Sequence, residues 1–227
     1  MTVYCMDEQL IELLFSKKYC DIGTKFFSNA DILARHSVGP AKRVGRDRMV
    51  ISMQQAIEVA KQALQIAWNG ALPVNPEIIA NSLVVFKKDE ATGIDRNIPI
   101  RVRALDPLSL NASGQASLVD TPEGPVFYCD YNKSEIIYRN RFTVAHELGH
   151  VLLGHVNEFN TQERDTTFGN YNPIERAANA FAAELVMPEK KVRELFSGAT
   201  SVPQMSEAFG VSNAAMSYRL KNLGLVR

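Results

Sequence analysis

Residues 141–152 read RFTVAHELGHVL, an apolar helical stretch that contains two histidines and a glutamate. His146 and His150 are four residues apart, so on an α-helix they lie on one face and can reach the same metal ion. Glu147 is rotated by about 100° from His146, which places its carboxylate beside that ion as a base rather than a ligand. Burying two imidazoles and a carboxylate without polar partners would cost free energy. The pattern therefore predicts a helix that binds one zinc ion per chain.

A catalytic zinc ion normally has three protein ligands and one position left for water, so a third ligand must lie elsewhere. His155 does not fit the longer metzincin pattern, because the positions three and six after His150 hold Leu153 and Val156. The favoured candidate is Glu175, which opens an alanine-rich helix that can pack closely on the first one.

Glu175 also has competing interpretations. Together with Asn172 and Pro173 it matches a capping box at a helix start. Glu184 is a rival ligand on the same helix, but the nine-residue spacing puts it about half a turn away from Glu175. Asn179 shares the face of Glu175 and is predicted to hydrogen-bond the outer ring nitrogen of a ligand histidine. Glu184 and His155 stay open as alternative ligands.

The rest of the chain predicts an α+β fold. Amphipathic helices are expected over residues 54–68 and after an Asn75 cap. Strand patterns occupy residues 83–86, 98–102, 116–119 and 126–130. We expect a zincin-like core, in which a small mixed or antiparallel sheet packs on helices that include the H-E-x-x-H helix. A substrate peptide is expected to pair with residues 126–130 as the edge strand.

Composition narrows the functional classes. The 25 basic and 25 acidic residues balance, so no overall field attracts nucleic acid or an anionic membrane. Cys5, Cys20 and Cys129 are odd in number and widely spaced, which indicates reduced thiols rather than disulfides or a cysteine zinc site. There is no signal-peptide pattern at the start and no long apolar run, so we expect a cytoplasmic protein without a membrane partner.

Three segments are predicted. Residues 1–50 form a helical extension that ends in a basic linker, residues 51–197 form the catalytic domain, and residues 198–227 resemble a helix-turn-helix. Direct DNA binding by the last segment stays open. It would turn four polar residues toward DNA: Asn213, Ser217, Arg219 and Lys221. Packing on the catalytic core is the favoured alternative, and it would bury four apolar residues: Phe209, Val211, Met216 and Leu220.

Two motifs resemble those of the ImmA/IrrE family of metallopeptidases. Residues 141–150, RFTVAHELGH, match its H-E-x-x-H helix, and residues 175–188, ERAANAFAAELVMP, match its second helix. The resemblance spans about residues 54–225 and is weak across 87–115. It implies that His146, His150 and Glu175 bind zinc in a gluzincin-like site and that Glu147 is the catalytic base.

The resemblance also implies a biological setting. Family members are typically encoded by mobile elements, phages or toxin-antitoxin-like operons, or act in stress responses, and they cut a helix-turn-helix repressor to release transcription. The alternative is a non-catalytic or weakly catalytic regulator, or a toxin component, that binds a repressor, antitoxin or DNA. A peptidase also needs a group to stabilise the oxyanion, and the candidates are His155, Tyr171 and Tyr138.

The histidine spacing yields a direct test. Purified protein should carry about one zinc ion per chain, and His146→Ala or His150→Ala should abolish that content because each removes a ligand. Metal analysis of the three proteins measures this. Full zinc occupancy in either variant would contradict the predicted site.

Overall fold

A computed structural model describes residues 25–28, 51–88, 95–110, 112–156 and 172–227. Within these ranges it has five strands and seven helices, which confirms the α+β fold class. The strands are β1 (Lys25–Ser28), β2 (Leu83–Lys88), β3 (Asp95–Leu105), β4 (Gly114–Thr121) and β5 (Gly124–Asn132). The helices are α1 (Met53–Ala67), α2 (Pro76–Ser82), α3 (Ile137–Leu152), α4 (Pro173–Val186), α5 (Glu189–Ser197), α6 (Val202–Phe209) and α7 (Asn213–Asn222).

The four predicted strands are confirmed as β2 to β5. Strand β1 was not predicted. It lies within residues 1–50, which were expected to be helical, and it pairs with β2. The helices predicted elsewhere within residues 1–50, the basic linker and Tyr171 lie outside the described residues.

The sheet is mixed, with the strand order β1-β2-β3-β5-β4. Strand β5 pairs in parallel with β3 on one side and antiparallel with β4 on the other. It is therefore an interior strand, and the expectation that residues 126–130 form an edge was wrong. The edge beside the H-E-x-x-H helix is β4, because the hairpin between β4 and β5 places β4 outermost.

Helix ends follow the expected capping chemistry. The Asn75 side chain accepts hydrogen bonds from the backbone N–H groups of Glu77 and Ile78, at 3.0 and 3.3 Å, and starts α2. The Asn172 side chain accepts one from Ile174 at 3.0 Å and starts α4. These caps fix where each helix begins and hence which residues share a face.

Small residues allow α3 and α4 to approach closely. Gly149 of α3 faces the ring of Phe181 on α4, and a Cβ atom built at Gly149 would lie 3.0 Å from Cδ1 of that ring. Ala177, Ala178 and Ala182 of α4 are completely buried. A larger side chain at Gly149 would have to displace the Phe181 ring, and larger side chains at the three alanines would overpack the core around α4.

The C-terminal helices α6 and α7 join the same hydrophobic core as α3 and α4. The turn between them contains Gly210, whose φ of 60° suits a residue without a side chain, and Ser212 caps α7. Phe209, Met216 and Leu220 are completely buried. These helices therefore pack on the core that contains α3 and α4, as the favoured interpretation expected.

Arg219 contradicts the DNA-facing interpretation of its helix. Its side chain is 6% exposed and forms an ion pair with Glu184, which is itself buried on α4. The Arg219 Nε–H also donates to the carbonyl oxygen of Met187 at 3.1 Å. The guanidinium thus points into the protein and joins α7 to α4.

This buried ion pair predicts a large stability effect. Arg219→Met leaves the Glu184 carboxylate buried without its cation and should lower the free energy of unfolding by about 3–5 kcal/mol. The control is Lys221→Met, an exposed position on the same helix, where the change should stay within about 0.5 kcal/mol. Urea denaturation measures both.

The double variant Glu184→Gln/Arg219→Met removes the unpaired charge and should recover part of the loss. Equal stability of Arg219→Met and Lys221→Met would show that the ion pair does not support the fold.

Candidate metal centre

The two histidines of α3 meet the first turn of α4 at a single cluster. The Nε2 atoms of His146 and His150 lie 3.0 Å apart. The Glu175 carboxylate contacts both, with Oε2 3.1 Å from His146 Nε2 and Oε1 3.2 Å from His150 Nε2. Among the described residues these three form the group that could hold a metal ion, with their ligand atoms within 4.8 Å of one another.

The chemistry and spacing of these donors fit zinc. Two imidazole nitrogens and one carboxylate form a common catalytic zinc set. Tetrahedral ligands about 2.0–2.1 Å from an ion lie about 3.3 Å from each other. The observed separations of 3.0 to 3.2 Å are close to this value. His146, His150 and Glu175 are therefore the residues that would hold the ion.

Glu175 takes the position expected of a third donor, and its rivals do not. Both carboxylate oxygens of Glu175 contact the histidines rather than the helix start. Glu184 points away from the cluster, where Oε1 accepts a hydrogen bond from the Glu189 backbone N–H at 3.2 Å and Oε2 pairs with Arg219. The half-turn offset between the two glutamates decides which of them faces α3.

Asn179 lies where its one-turn spacing from Glu175 predicted. Its Oδ1 is 3.1 Å from Nδ1 of His146, the ring nitrogen that faces away from the cluster. An amide oxygen can only accept there, so the contact favours the His146 tautomer that carries hydrogen on Nδ1 and a lone pair on Nε2. That tautomer is the one a metal ligand needs.

The electrostatics of the cluster follow from these contacts. Hydrogen bonds from the two histidines hold the pKa of Glu175 well below its usual range. Burial alone would lower the pKa of His146, but the Glu175 hydrogen bond, the charges of Glu147 and Glu175 and the Asn179 contact together raise it. The site therefore favours positive charge at its centre, which a cation can supply.

Glu147 lies beside the cluster and is buried. It is 8% exposed, and this burial raises the pKa of its carboxyl group. A raised pKa makes a carboxylate a better proton acceptor, as a general base requires. His146 and His150 side chains keep 17% and 14% exposure, so the cluster itself is reached from solvent.

Gly114, at the start of the edge strand β4, was missed by the sequence analysis. A Cβ atom at this position would lie 2.3 Å from Cγ2 of Thr143 and 2.7 Å from Oε1 of Glu147. Only a glycine lets the strand backbone come this close to the carboxylate. A glycine at the start of a strand pattern is a general signal of close backbone approach, but it does not say what is approached.

The three oxyanion candidates have different outcomes. Tyr138 lies two turns before His146, about 12 Å along the helix axis, so the structure does not bring it to the cluster. His155 lies on the side of His150 that faces away from the cluster, and the Nδ1 atoms of the two rings are 3.2 Å apart. Tyr171 lies outside the described residues.

An H-E-x-x-H helix that meets a carboxylate from a second helix is typical of zinc metallopeptidases. The sequence model of the peptidase M78 family, described as an IrrE N-terminal-like domain, matches residues 99–221. The chain belongs to this family, which agrees with the resemblance noted from its motifs. The match begins at residue 99, so helices α1 and α2 lie outside it, whereas the resemblance was expected to start near residue 54. No curated protein sequence matches the chain significantly.

No helix in the described ranges is both long enough and apolar enough to cross a membrane.

The contacts predict an order of zinc affinities. Glu175→Ala should cost most of the affinity, because it leaves two protein donors. Asn179→Ala should weaken binding roughly 10–100-fold, because it loosens only the orientation of His146. Glu184→Gln should keep normal zinc affinity as long as it is folded, because the Glu184 carboxylate pairs with Arg219 and does not face the cluster; thermal unfolding checks that it is folded.

Competition titrations against a chelator give the three zinc dissociation constants. Normal affinity in Glu175→Ala, together with a loss in Glu184→Gln, would reassign the third ligand to Glu184.

Proposed function

We propose that this protein is a zinc-dependent endopeptidase with a zincin-like core, and that it cleaves a partner protein. The observation that carries the proposal is the convergence of His146, His150 and Glu175 within 3.0 to 3.2 Å, with the buried Glu147 beside them. Membership of the peptidase M78 family supports the same activity class.

Each residue has a distinct part in this mechanism. His146, His150 and Glu175 would hold the ion, and Asn179 would keep His146 in the tautomer whose Nε2 lone pair can bind it. Zinc in such a site supplies Lewis-acid polarisation of a water molecule and of the peptide carbonyl. Glu147 accepts the proton of the attacking water and then donates it to the nitrogen of the leaving amine.

The edge strand β4 is the proposed place for the substrate backbone. Among the described residues no strand pairs with its outer side, and a Cβ atom at its first residue, Gly114, would lie 2.7 Å from Oε1 of Glu147. A peptide that pairs with β4 would be held by backbone hydrogen bonds, and its alternate side chains would contact the enzyme. Such pairing brings a peptide bond close to the proposed base.

The proposed substrate is a helix-turn-helix repressor or an antitoxin. This choice rests on the resemblance to ImmA/IrrE peptidases. The burial of Arg219 in a core ion pair leaves α7 with less positive charge for DNA, which favours a protein partner over direct DNA binding.

The decisive variant is Glu147→Gln, in which an amide replaces the carboxylate with almost the same shape. It should keep zinc and partner binding but lose cleavage, because the amide does not accept the proton. The control is Glu123→Gln, an exposed glutamate in the β4–β5 turn, which should cleave normally. Wild-type and variant proteins are each incubated with a candidate helix-turn-helix partner, cleavage is followed by mass spectrometry, and binding is measured in parallel.

The inactive Glu147→Gln protein also tests the substrate position. In its complex with the partner, backbone amides of β4 should exchange hydrogen more slowly than in the free protein. A cellular effect that persists in Glu147→Gln would instead support a regulator that acts by binding alone.

A further inference from the structure

The turn that ends α3 brings the residues after the helix back into contact with His150. Helix α3 ends at Leu152, and Gly154 then adopts the left-handed conformation with φ of 73°. The N–H of Gly154 donates to the carbonyl of Val151 at 3.1 Å, and the N–H of His155 donates to the carbonyl of His150 at 2.9 Å. This pair of bonds is a Schellman motif, which glycine permits because it has no Cβ atom.

The same turn brings the two rings together. The Nδ1 atoms of His150 and His155 lie 3.2 Å apart, and the ring centroids are 5.2 Å apart with an interplanar angle of 65°. The other nitrogen of His150, Nε2, faces Glu175 and His146. His150 therefore uses its two nitrogens on opposite sides, one toward the cluster and one toward His155.

The protons of this pair follow from the role of His150. A neutral imidazole has one N–H donor and one nitrogen acceptor. If the Nε2 lone pair of His150 is to bind a cation, its hydrogen must be on Nδ1. Nδ1 of His155 is then the acceptor of that hydrogen, and His155 carries its own hydrogen on Nε2.

We propose that His155 is a positioning residue that accepts a hydrogen bond from His150 Nδ1–H and so holds the Nε2 lone pair of His150 toward the metal. This inference rests on the proposed zinc site and deepens it. His146 receives the equivalent support from Asn179 on α4, at 3.1 Å. The two histidines thus have different supports, one from the partner helix and one from the cap of their own helix.

The test compares two substitutions in the full chain. His155→Phe keeps an aromatic ring but removes the acceptor, whereas His155→Asn places an amide oxygen near the position of Nδ1. The Phe variant should bind zinc roughly 10–100-fold more weakly than the wild type, and the Asn variant should recover most of the loss. Chelator competition measures the zinc dissociation constants, and thermal unfolding of the metal-free proteins checks that each is folded.

Nuclear magnetic resonance gives a second readout that needs no substitution. Long-range proton–nitrogen spectra of the zinc-loaded wild-type protein should show hydrogen on Nδ1 of His150 and on Nε2 of His155. Hydrogen on Nδ1 of His155 would overturn the proposal, even if the Phe variant failed to fold.

The remaining outcomes separate this inference from the proposed function. Wild-type zinc affinity in a folded His155→Phe variant would overturn the inference alone. Equally weak binding in the Phe and Asn variants would also overturn it, because loss of ring packing would then explain the effect. A wild-type chain that takes up no zinc would overturn the proposed function and this inference with it.

Discussion

The contact between the Glu175 carboxylate and the two histidine rings depends on how closely α4 approaches α3. Gly149 leaves room for the Phe181 ring, and the buried alanines of α4 present a flat surface to the neighbouring helices. At this distance a carboxylate on the first turn of α4 reaches ring nitrogens on α3 within hydrogen-bonding range. The candidate metal centre can therefore form only because small residues let the two helices pack closely.

Two interactions outside the cluster help to fix the orientation of α4 and α3. The buried ion pair of Glu184 and Arg219 joins the far side of α4 to α7. Arg141, near the start of α3, donates to the carbonyl of Gly210 at 3.4 Å, in the turn before α7. The C-terminal helices therefore contact both helices that carry the site. This explains in structural terms why a segment with a helix-turn-helix pattern packs against a catalytic core.

The site also depends on the sheet, through one backbone contact. Strand β4 comes close enough to Glu147 that a side chain at Gly114 would collide with the carboxylate and with Thr143. The strand covers the carboxylate and contributes to the burial that raises its pKa. The same strand is the edge of the sheet, so the proposed base and a surface suited to an extended peptide lie next to each other.

Features that depend on local geometry could be predicted from the sequence. The four-residue spacing of His146 and His150, the caps at Asn75 and Asn172, and the one-turn spacing of Glu175 and Asn179 follow from helix periodicity and capping chemistry, which act over a few residues. Gly154 is also a local signal of a helix end, because glycine commonly follows the last turn of a helix.

Features that depend on residues far apart in the chain could not be predicted in this way, because they follow from tertiary packing. The rotation of α4 about its axis places Glu175 rather than Glu184 at the histidines, and that rotation is fixed by packing against α1, α3 and α7. Sheet order made β4 the edge instead of β5, because strand pairing joins segments far apart in the chain. The burial of Arg219 likewise required a carboxylate 35 residues away. A sequence pattern gives the periodicity of a helix or strand. It does not identify the elements that will pack against its faces.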